Sequence, residues 1–573
     1  MPVRRWFVVL SFGLSLICAG ATGAQRSVRI APADILIVHA KIYTTDEKRP
    51  WAQSLAIRKG IIVAIGSDEQ IERFRGIGTK MIDAGGKLVF PAFTDSHIHM
   101  MEGGLSLVHV NLEGATNVAD LQNRLRAYSD QHPDDKWLLG RGWNYAMFAP
   151  DTLPNKKYLD ELFPAIPVFL EGYDGHTYWA NSKALALAGI TKDTPNPPNG
   201  EIVRDPASGE ATGALKEGPA ADLVRKAIPK PTYVEKLTAL RAAMKWANRN
   251  GLARVHSAGG DFQNLDLLQE LRDDQQLSVR FHVAYVLNPP ELHPQDLQAL
   301  AAAHEKFHDE WIDVNSVKFF LDGVVESHTA AFLEPYSDDP SKKGVLFWDP
   351  EKYKVAVAEL DKKGFQLYTH AIGDYAVRTA LDGYEFAEQK NHTKDHRNRV
   401  EHLETISTAD IPRFAKLHVI ASMQPLHSYP DEDTLDVWAR NIGPDRTSRA
   451  WVWKSIAQYG AHYTFGSDWP VVTLNPWEGI QTAVTRQTAE GLPTAGFVPA
   501  QKLTVAQAVE GYTIEAAYAG HREKTEGSLE KGKVADVIMV DKNIFEIDPH
   551  TINQTKVVLT IVGGKIVYEA DNF

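Results

Sequence analysis

Leu88-Val-Phe-Pro-Ala-Phe-Thr-Asp95-Ser-His97-Ile-His99 is the stretch on which the fold turns. The apolar run Leu88–Phe93 leads directly into Asp95-Ser-His97-Ile-His99, as a buried strand leads to its end. Side chains at i and i+2 of a strand point to one face, so His97 and His99 can grip one metal ion. A lone His-x-His also arises from two unrelated histidines in a loop, so the reading depends on what the rest of the chain supplies.

Similar events recur at the ends of later apolar runs. His370 closes Phe-Gln-Leu-Tyr-Thr-His, His402 closes Arg-Val-Glu-His, and Asp468 closes Tyr-Thr-Phe-Gly-Ser-Asp. Lys318 sits inside the apolar run Asn-Ser-Val-Lys-Phe-Phe-Leu. Amphipathic helical patterns such as Val234–Asn250 and Lys352–Lys363 separate these runs, and alternating strands and helices imply a parallel sheet with helical crossovers. Eight runs count as barrel strands: Lys87–His99, Ala253–Ser257, Val279–Leu287, Val314–Leu321, Phe365–His370, Arg399–Leu403, Val419–Gln424 and His462–Ser467. That number suits an α/β fold of the (β/α)8 TIM type, which carries its active residues at the carboxyl ends of its strands. It requires residues 103–231 to be one long insertion after the first strand, a candidate cap over the mouth. A buried, unpaired Lys318 is costly. Either it pairs with Asp322 or another carboxylate, or it is a neutral amine that captures carbon dioxide as a carbamate bridging two metals.

Both chain ends read as short strands with tight turns. Ile35–Ile42 and Leu55–Ile65, the latter broken at Lys59-Gly60, resemble Ala535–Val540 and Val558–Tyr568, folded about Gly563-Gly564. Two short half-sheets bury more apolar surface joined than apart, so residues 25–86 and 526–573 are expected to form one small β-sandwich around a barrel of residues 87–525.

Residues 1–24 read as a secretory signal peptide: Arg4 and Arg5, an apolar core Trp6–Ile17, then small residues offering cleavage after Ala21 or Ala24. The expected location is therefore exported, periplasmic or secreted. Lipid anchoring at Cys18 is disfavoured by Ile17 where a small residue belongs. With Cys18 the only cysteine, thiolate ligands and disulfides fall away in the mature chain. The 573 residues are 44% hydrophobic and 23% charged, with 61 Lys plus Arg against 73 Asp plus Glu and a net charge of −12. This excludes a disordered chain and a multi-span membrane protein, and argues against a nucleic-acid partner. A homodimer is left open as a partner.

The motifs together resemble the amidohydrolase superfamily, in its family 3 branch with the N-substituted formamide deformylases. They are Pro91-Ala-Phe-Thr-Asp-Ser-His-Ile-His99, Asp174-Gly-His176 with Asn181-Ser182, Thr212-Gly-Ala-Leu-Lys-Glu217 and Lys318-Phe-Phe-Leu-Asp-Gly323. His370-Ala-Ile-Gly-Asp374, Arg399-Val-Glu-His402, Gly466-Ser-Asp-Trp-Pro470 and Gly527-Ser-Leu-Glu-Lys-Gly-Lys-Val-Ala-Asp536 continue the series. The resemblance implies a buried metal on His97, His99 and Asp468, and a carbamate on Lys318 bridging to a second metal on His370 and His402. Zinc is the default for such ligands, with manganese, iron or cobalt as alternatives. A hydroxide shared by the two ions would attack the substrate, with Asp468 taking the proton and returning it to the leaving amine. His176 and His256 are candidates to bind substrate or oxyanion, and Glu217 to bind substrate or replace Lys318 as the bridge.

The expected activity is hydrolysis of a carbon–nitrogen, amide-type bond in a small molecule. Carbamate, lactone or other ester hydrolysis on the same centre is the alternative, and a silent binding protein on this scaffold is a second. One loop departs from the family pattern: Gly323-Val-Val-Glu-Ser-His-Thr-Ala330 carries Glu326 and His328 where small and basic residues are usual. The aromatic residues Trp137, Trp143, Tyr145, Phe148, Tyr173, Tyr178 and Trp179 either line a pocket or form the insertion's own core.

Overall fold

The computed structural model describes residue 1 and residues 30–133, 135–148 and 153–571. Apart from Met1, the signal segment read in residues 1–24 lies outside the described residues, and no described helix is long and apolar enough to cross a membrane.

Eight strands form one sheet in chain order: β1 (Phe93–Ile98), β2 (Leu252–Ser257), β3 (Arg280–Val286), β4 (Ile312–Phe320), β5 (Gln366–Ala371), β6 (Arg399–His402), β7 (Ile420–Met423) and β8 (Tyr463–Phe465). Every neighbouring pair is parallel. Each strand coincides with one of the eight expected runs, with a correction at the first. Lys87–His99 is two strands: Leu88–Pro91 pairs with Val537–Val540 and Lys41–Tyr43 in another sheet, and only Phe93–Ile98 joins the barrel. Pro91 has no N–H to give a ladder. The chain changes sheet just after it, with Ala92 N–H donating to Asp536 and Phe93 N–H to Gly251.

The barrel is drawn nearly closed where β8 meets β1. Ser96 Oγ and Thr464 Oγ1 share a hydrogen bond of 2.5 Å. Just beyond β8, Ser467 N–H donates to Asp95 Oδ1 at 3.0 Å and Asp468 N–H to the His97 carbonyl at 2.6 Å. Only glycine fits at 466, where a Cβ would stand 2.4 Å from His97 N. Strand alternation sorts the rest. On β4, Phe319 faces outward onto Trp348 and Tyr353, with ring centroids 5.3 and 5.2 Å away, while Lys318 points into the barrel.

The expected helices appear as Tyr233–Arg249 and Pro350–Lys362. The first begins at a reciprocal cap between Thr232 and Glu235. The second begins at Asp349, with Pro350 in the first turn where its missing N–H is harmless. Their apolar faces join the strands' outer faces in the largest core cluster.

Strands from both chain ends share one six-stranded sheet, in which Lys41–Tyr43 and Leu88–Pro91 lie beside Val537–Val540 and the hairpin Val557–Val562/Lys565–Glu569. A four-stranded sheet holds Ile35–Val38, the hairpin Ser54–Arg58/Ile61–Gly66, and Lys80–Asp83. The run Ile35–Ile42 is thus divided between two sheets. One apolar cluster joins Ile37, Ile57 and Ile82 of the smaller sheet to Val89, Met539 and Ile561 of the larger. The two hairpin turns abut, since a Cβ on Gly60 would lie 2.7 Å from the Gly563 carbonyl.

Between β1 and β2 the chain builds a further six-stranded sheet, from Val110–Asn111 to Ala211–Lys216. Trp143, Tyr145, Phe148 and Trp179 are buried in its core; Tyr178 is buried in a second cluster, against which Trp137 packs, and with Tyr173 also reaches the cavity at the barrel mouth.

Candidate metal centre

The carboxyl ends of β1, β4, β5 and β6 and the segment after β8 converge on a cavity of about 1130 Å³. Its lining includes His97, His99, His176, Glu217, Lys318, His370, His402 and Asp468. His256, the remaining site candidate, is absent from that lining. Ser257 continues β2 past it, and its ring lies inside the barrel, with Nδ1 3.0 Å from Arg399 Nη1 and its centroid 5.0 Å from that of His282.

His97, His99 and Asp468 bring ligand atoms within 4.8 Å of one another. Asp468 Oδ1 stands 3.1 Å from His99 Nε2 and 3.4 Å from His97 Nε2, yet among the described residues it accepts no hydrogen bond although buried. A buried carboxylate oxygen without a donor is costly, and a divalent cation is the partner this donor set fits. His97 is oriented for the task. Its Nδ1 meets Glu401 Oε2 at 2.5 Å, both side chains fully buried, which leaves the Nε2 lone pair facing the cavity with Lys318 Nζ 3.1 Å away. This is the carboxylate–histidine arrangement that fixes a ligand's tautomer.

The electrostatics suit ligation. Burial and then the nearby Lys318 push His97 down to about 4, so its imidazole is neutral. Burial likewise holds His370 and His402 well below the usual histidine value. His99 differs: burial opposes protonation, but Asp468 and Glu102 outweigh it and raise the ring. Burial favours the neutral acid at Asp468, but His97, His99 and His402 override it and hold the carboxyl well below its ordinary value. Burial brings the Lys318 amine down to about 8, against the opposing pull of Glu401 and Asp468.

A second group of donors shares Asp468 and adds His402 and His427. His402 Nδ1 is 3.0 Å from Gln424 Oε1 and its ring stacks parallel to His427 at 5.9 Å. His370 stands beside His402, ring centroids 4.4 Å apart, but belongs to neither group; its Nε2 lies 3.3 Å from the Gly323 carbonyl. His176 and Glu217 pair at 2.7 Å, and Thr329 donates to the other Glu217 oxygen at 2.6 Å. Glu217, His402 and Asp468 all take φ near +65°, a costly backbone for such residues and one that gathers at functional sites.

Four participants were not foreseen. Glu401 precedes His402 in the quoted motif, and its i+2 relation to Arg399 places both in the barrel interior, where Arg399 Nε donates to it at 2.7 Å. Gln424 and His427 follow the end of β7, the position where barrel enzymes put working residues. Glu404, two residues past His402, lines the cavity and accepts from Trp438 Nε1 at 2.6 Å. Of the loop that departs from the family pattern, Glu326 lines the cavity while His328 is tied to Asp338 at 3.0 Å.

Residues 80–568 match the model of the family described as the amidohydrolase family, Amidohydro_3. The chain is 33% identical over 543 residues to Protein LONG AFTER FAR-RED 3 of Arabidopsis thaliana, covering 94% of this chain and 92% of that protein. It is 26% identical to the N-substituted formamide deformylase of Arthrobacter pascens, covering 94% and 98%. Among solved structures it is similar to an uncharacterized metal-dependent hydrolase from Pyrococcus horikoshii OT3, at TM-score 0.71 and 25% identity over 90% of this chain and 99% of that one. With a family model spanning most of its length and relatives alike nearly end to end, this chain belongs to the amidohydrolase family and is a hydrolase of that family.

Proposed function

We propose that the protein is an exported, metal-dependent amidohydrolase that cleaves a carbon–nitrogen, amide-type bond in a small molecule. The observation that carries the reading is the set His97, His99 and Asp468, in which a buried Asp468 oxygen has no donor among the described residues. The likeness to a formamide deformylase supports an acyl–nitrogen bond as the target. Zinc is the proposed metal, with a second ion beside His402 and a carbamate on Lys318 as finer parts of the same proposal. The insertion of residues 103–231 acts as a cap, and the chain-end sheets as one small sandwich that supports the barrel.

When bound, a divalent cation lowers the pKa of water and polarises a carbonyl. The chain's own groups do the rest. Glu401 holds the His97 ring with Nε2 toward the cavity. Asp468, kept ionised by the histidines around it, accepts a proton at its carboxylate and hands it to the leaving nitrogen. The paired His176 ring opposite is a donor for the carbonyl oxygen: burial opposes its protonation, but Glu217 raises it to about 9.

The test is formate release from N-benzylformamide and acid release from a panel of N-acyl amines, with metal-loaded and chelated protein. Turnover that chelation abolishes and zinc restores is expected. Turnover of lactones or carboxylic esters but of no amide would replace this reading with the ester alternative. No turnover of either, in protein holding metal, would favour a silent scaffold.

A further inference from the structure

Resting on the hydrolase reading above, we propose that the cavity selects substrates bearing a cationic nitrogen, an ammonium or guanidinium, held against a wall of Asp174, Glu326, Glu404 and Asp433. The lining carries 11 Asp or Glu and only 3 Lys or Arg, so its field favours a cation. The three cations are already engaged: Arg141 donates to the Tyr173 carbonyl at 2.8 Å and reaches Glu171 at 3.5 Å, Arg225 reaches Asp222 at 3.3 Å, and Lys318 lies against His97.

A second observation does not depend on the number of acids. Glu404 and Asp433 are each only 6% exposed, and each has one oxygen bonded and one without a protein donor among the described residues. Glu404 Oε2 takes the Trp438 indole N–H, whereas the His427 Nδ1 beside Oε1 stands 3.7 Å off, beyond hydrogen-bond range. Asp433 Oδ1 takes the Ala146 N–H at 3.1 Å, and among the described residues nothing donates to Oδ2. A carboxylate oxygen on a cavity wall with no protein donor has an acceptor position that a donor on the ligand can fill.

Glu326 joins them from the loop that departs from the family pattern. Tyr173 donates to its Oε1 at 3.2 Å and so aims the carboxyl at the cavity. Burial, reinforced by Glu404, Asp174 and Asp433, pushes Glu326 well above its ordinary value, and burial with Asp431 beside it brings Asp433 to about 7. A cation entering beside Glu326 and Asp433 favours the charged form of both. Tyr173, lining the same wall, adds an aromatic surface for that cation.

The test compares N-benzylguanidinium with its neutral isostere N-benzylurea by calorimetric titration of metal-loaded full-length protein at pH 7. The cation is expected to bind more tightly by about tenfold or more, the equilibrium equivalent of one hydrogen bond to a charged group. Glu326→Gln and Asp433→Asn should each shrink that ratio. Equal or tighter binding of the urea, binding of neither compound, or a ratio unchanged in both variants would overturn the proposal. The wild-type comparison decides even if a variant fails to fold. The readout is binding, so a protein that hydrolyses no amide can still show the preference, and an active amidohydrolase can lack it.

Discussion

Glu401→Gln removes the charge behind His97. The amide oxygen can still accept from His97 Nδ1, but the amide NH2 then faces the Arg399 Nε–H that donates to the other Glu401 oxygen at 2.7 Å. Burial raises the Glu401 pKa, but Arg399 and His97 outweigh it and bring the group from 4.5 down to about 2. A folded-state value below the unfolded one stabilises the fold above the unfolded pKa, and that contribution is lost as pH falls from about 4.5 through about 2. The difference corresponds to about 3 kcal/mol at neutral pH, in the range for breaking a buried ion pair from one side. For a chain of this size it lowers Tm by only about 2–3 °C, so thermal unfolding is the blunter assay. Metal affinity is the sharper one, because removing such a partner of a ligand weakens binding by about 10–100-fold. Competition of the folded variant against a chelator of known affinity reads this directly. Wild-type metal affinity in folded Glu401→Gln would refute the claim that the Glu401–His97 pair tunes the centre.

Other expectations follow from single contacts. Gly466→Ala puts a methyl 2.4 Å from His97 N at the barrel closure, so it should destabilise the fold by about 1–3 kcal/mol or more and reduce metal content; wild-type Tm and metal content would contradict this. Trp143→Ala, in a fully buried site, should cost about 3–5 kcal/mol, read as a lower denaturation midpoint. His176 should hold its ring proton until about pH 9 by histidine NMR. Its folded value lies above the ordinary 6.5, so the stability it adds is full below 6.5 and lost as pH rises through about 9. Loss of the proton near 6.5 would show that Glu217 does not govern it.

The barrel was legible because its strands are apolar runs that end on residues with no business in a core: His97, His370, His402 and Asp468. Periodicity cannot show where a strand changes sheets, so Lys87–His99 read as one element although Pro91 marks the break. His256 was misplaced for a related reason. One more strand residue after it, Ser257, is enough to leave its ring among Arg399 and His282 instead of at the mouth. His427 sits in the short 3-10 turn Pro425–Ser428 and Glu404 in a loop, where spacing carries little facing information; the one signal for them is the rule that working residues follow strand ends. The departing loop was informative in half: Glu326 reaches the cavity and His328 does not.

The central claim is that His97, His99 and Asp468 hold a divalent metal on which hydrolysis depends. Elemental analysis with native intact mass of the wild type and of folded His97→Ala and Asp468→Asn tests it most directly. At least one metal per wild-type chain is expected, with about 44 Da of added mass if Lys318 carries a carbamate, and loss of metal in both variants. A wild-type chain that takes up no metal after reconstitution, or variants that keep the full metal content, would contradict the account.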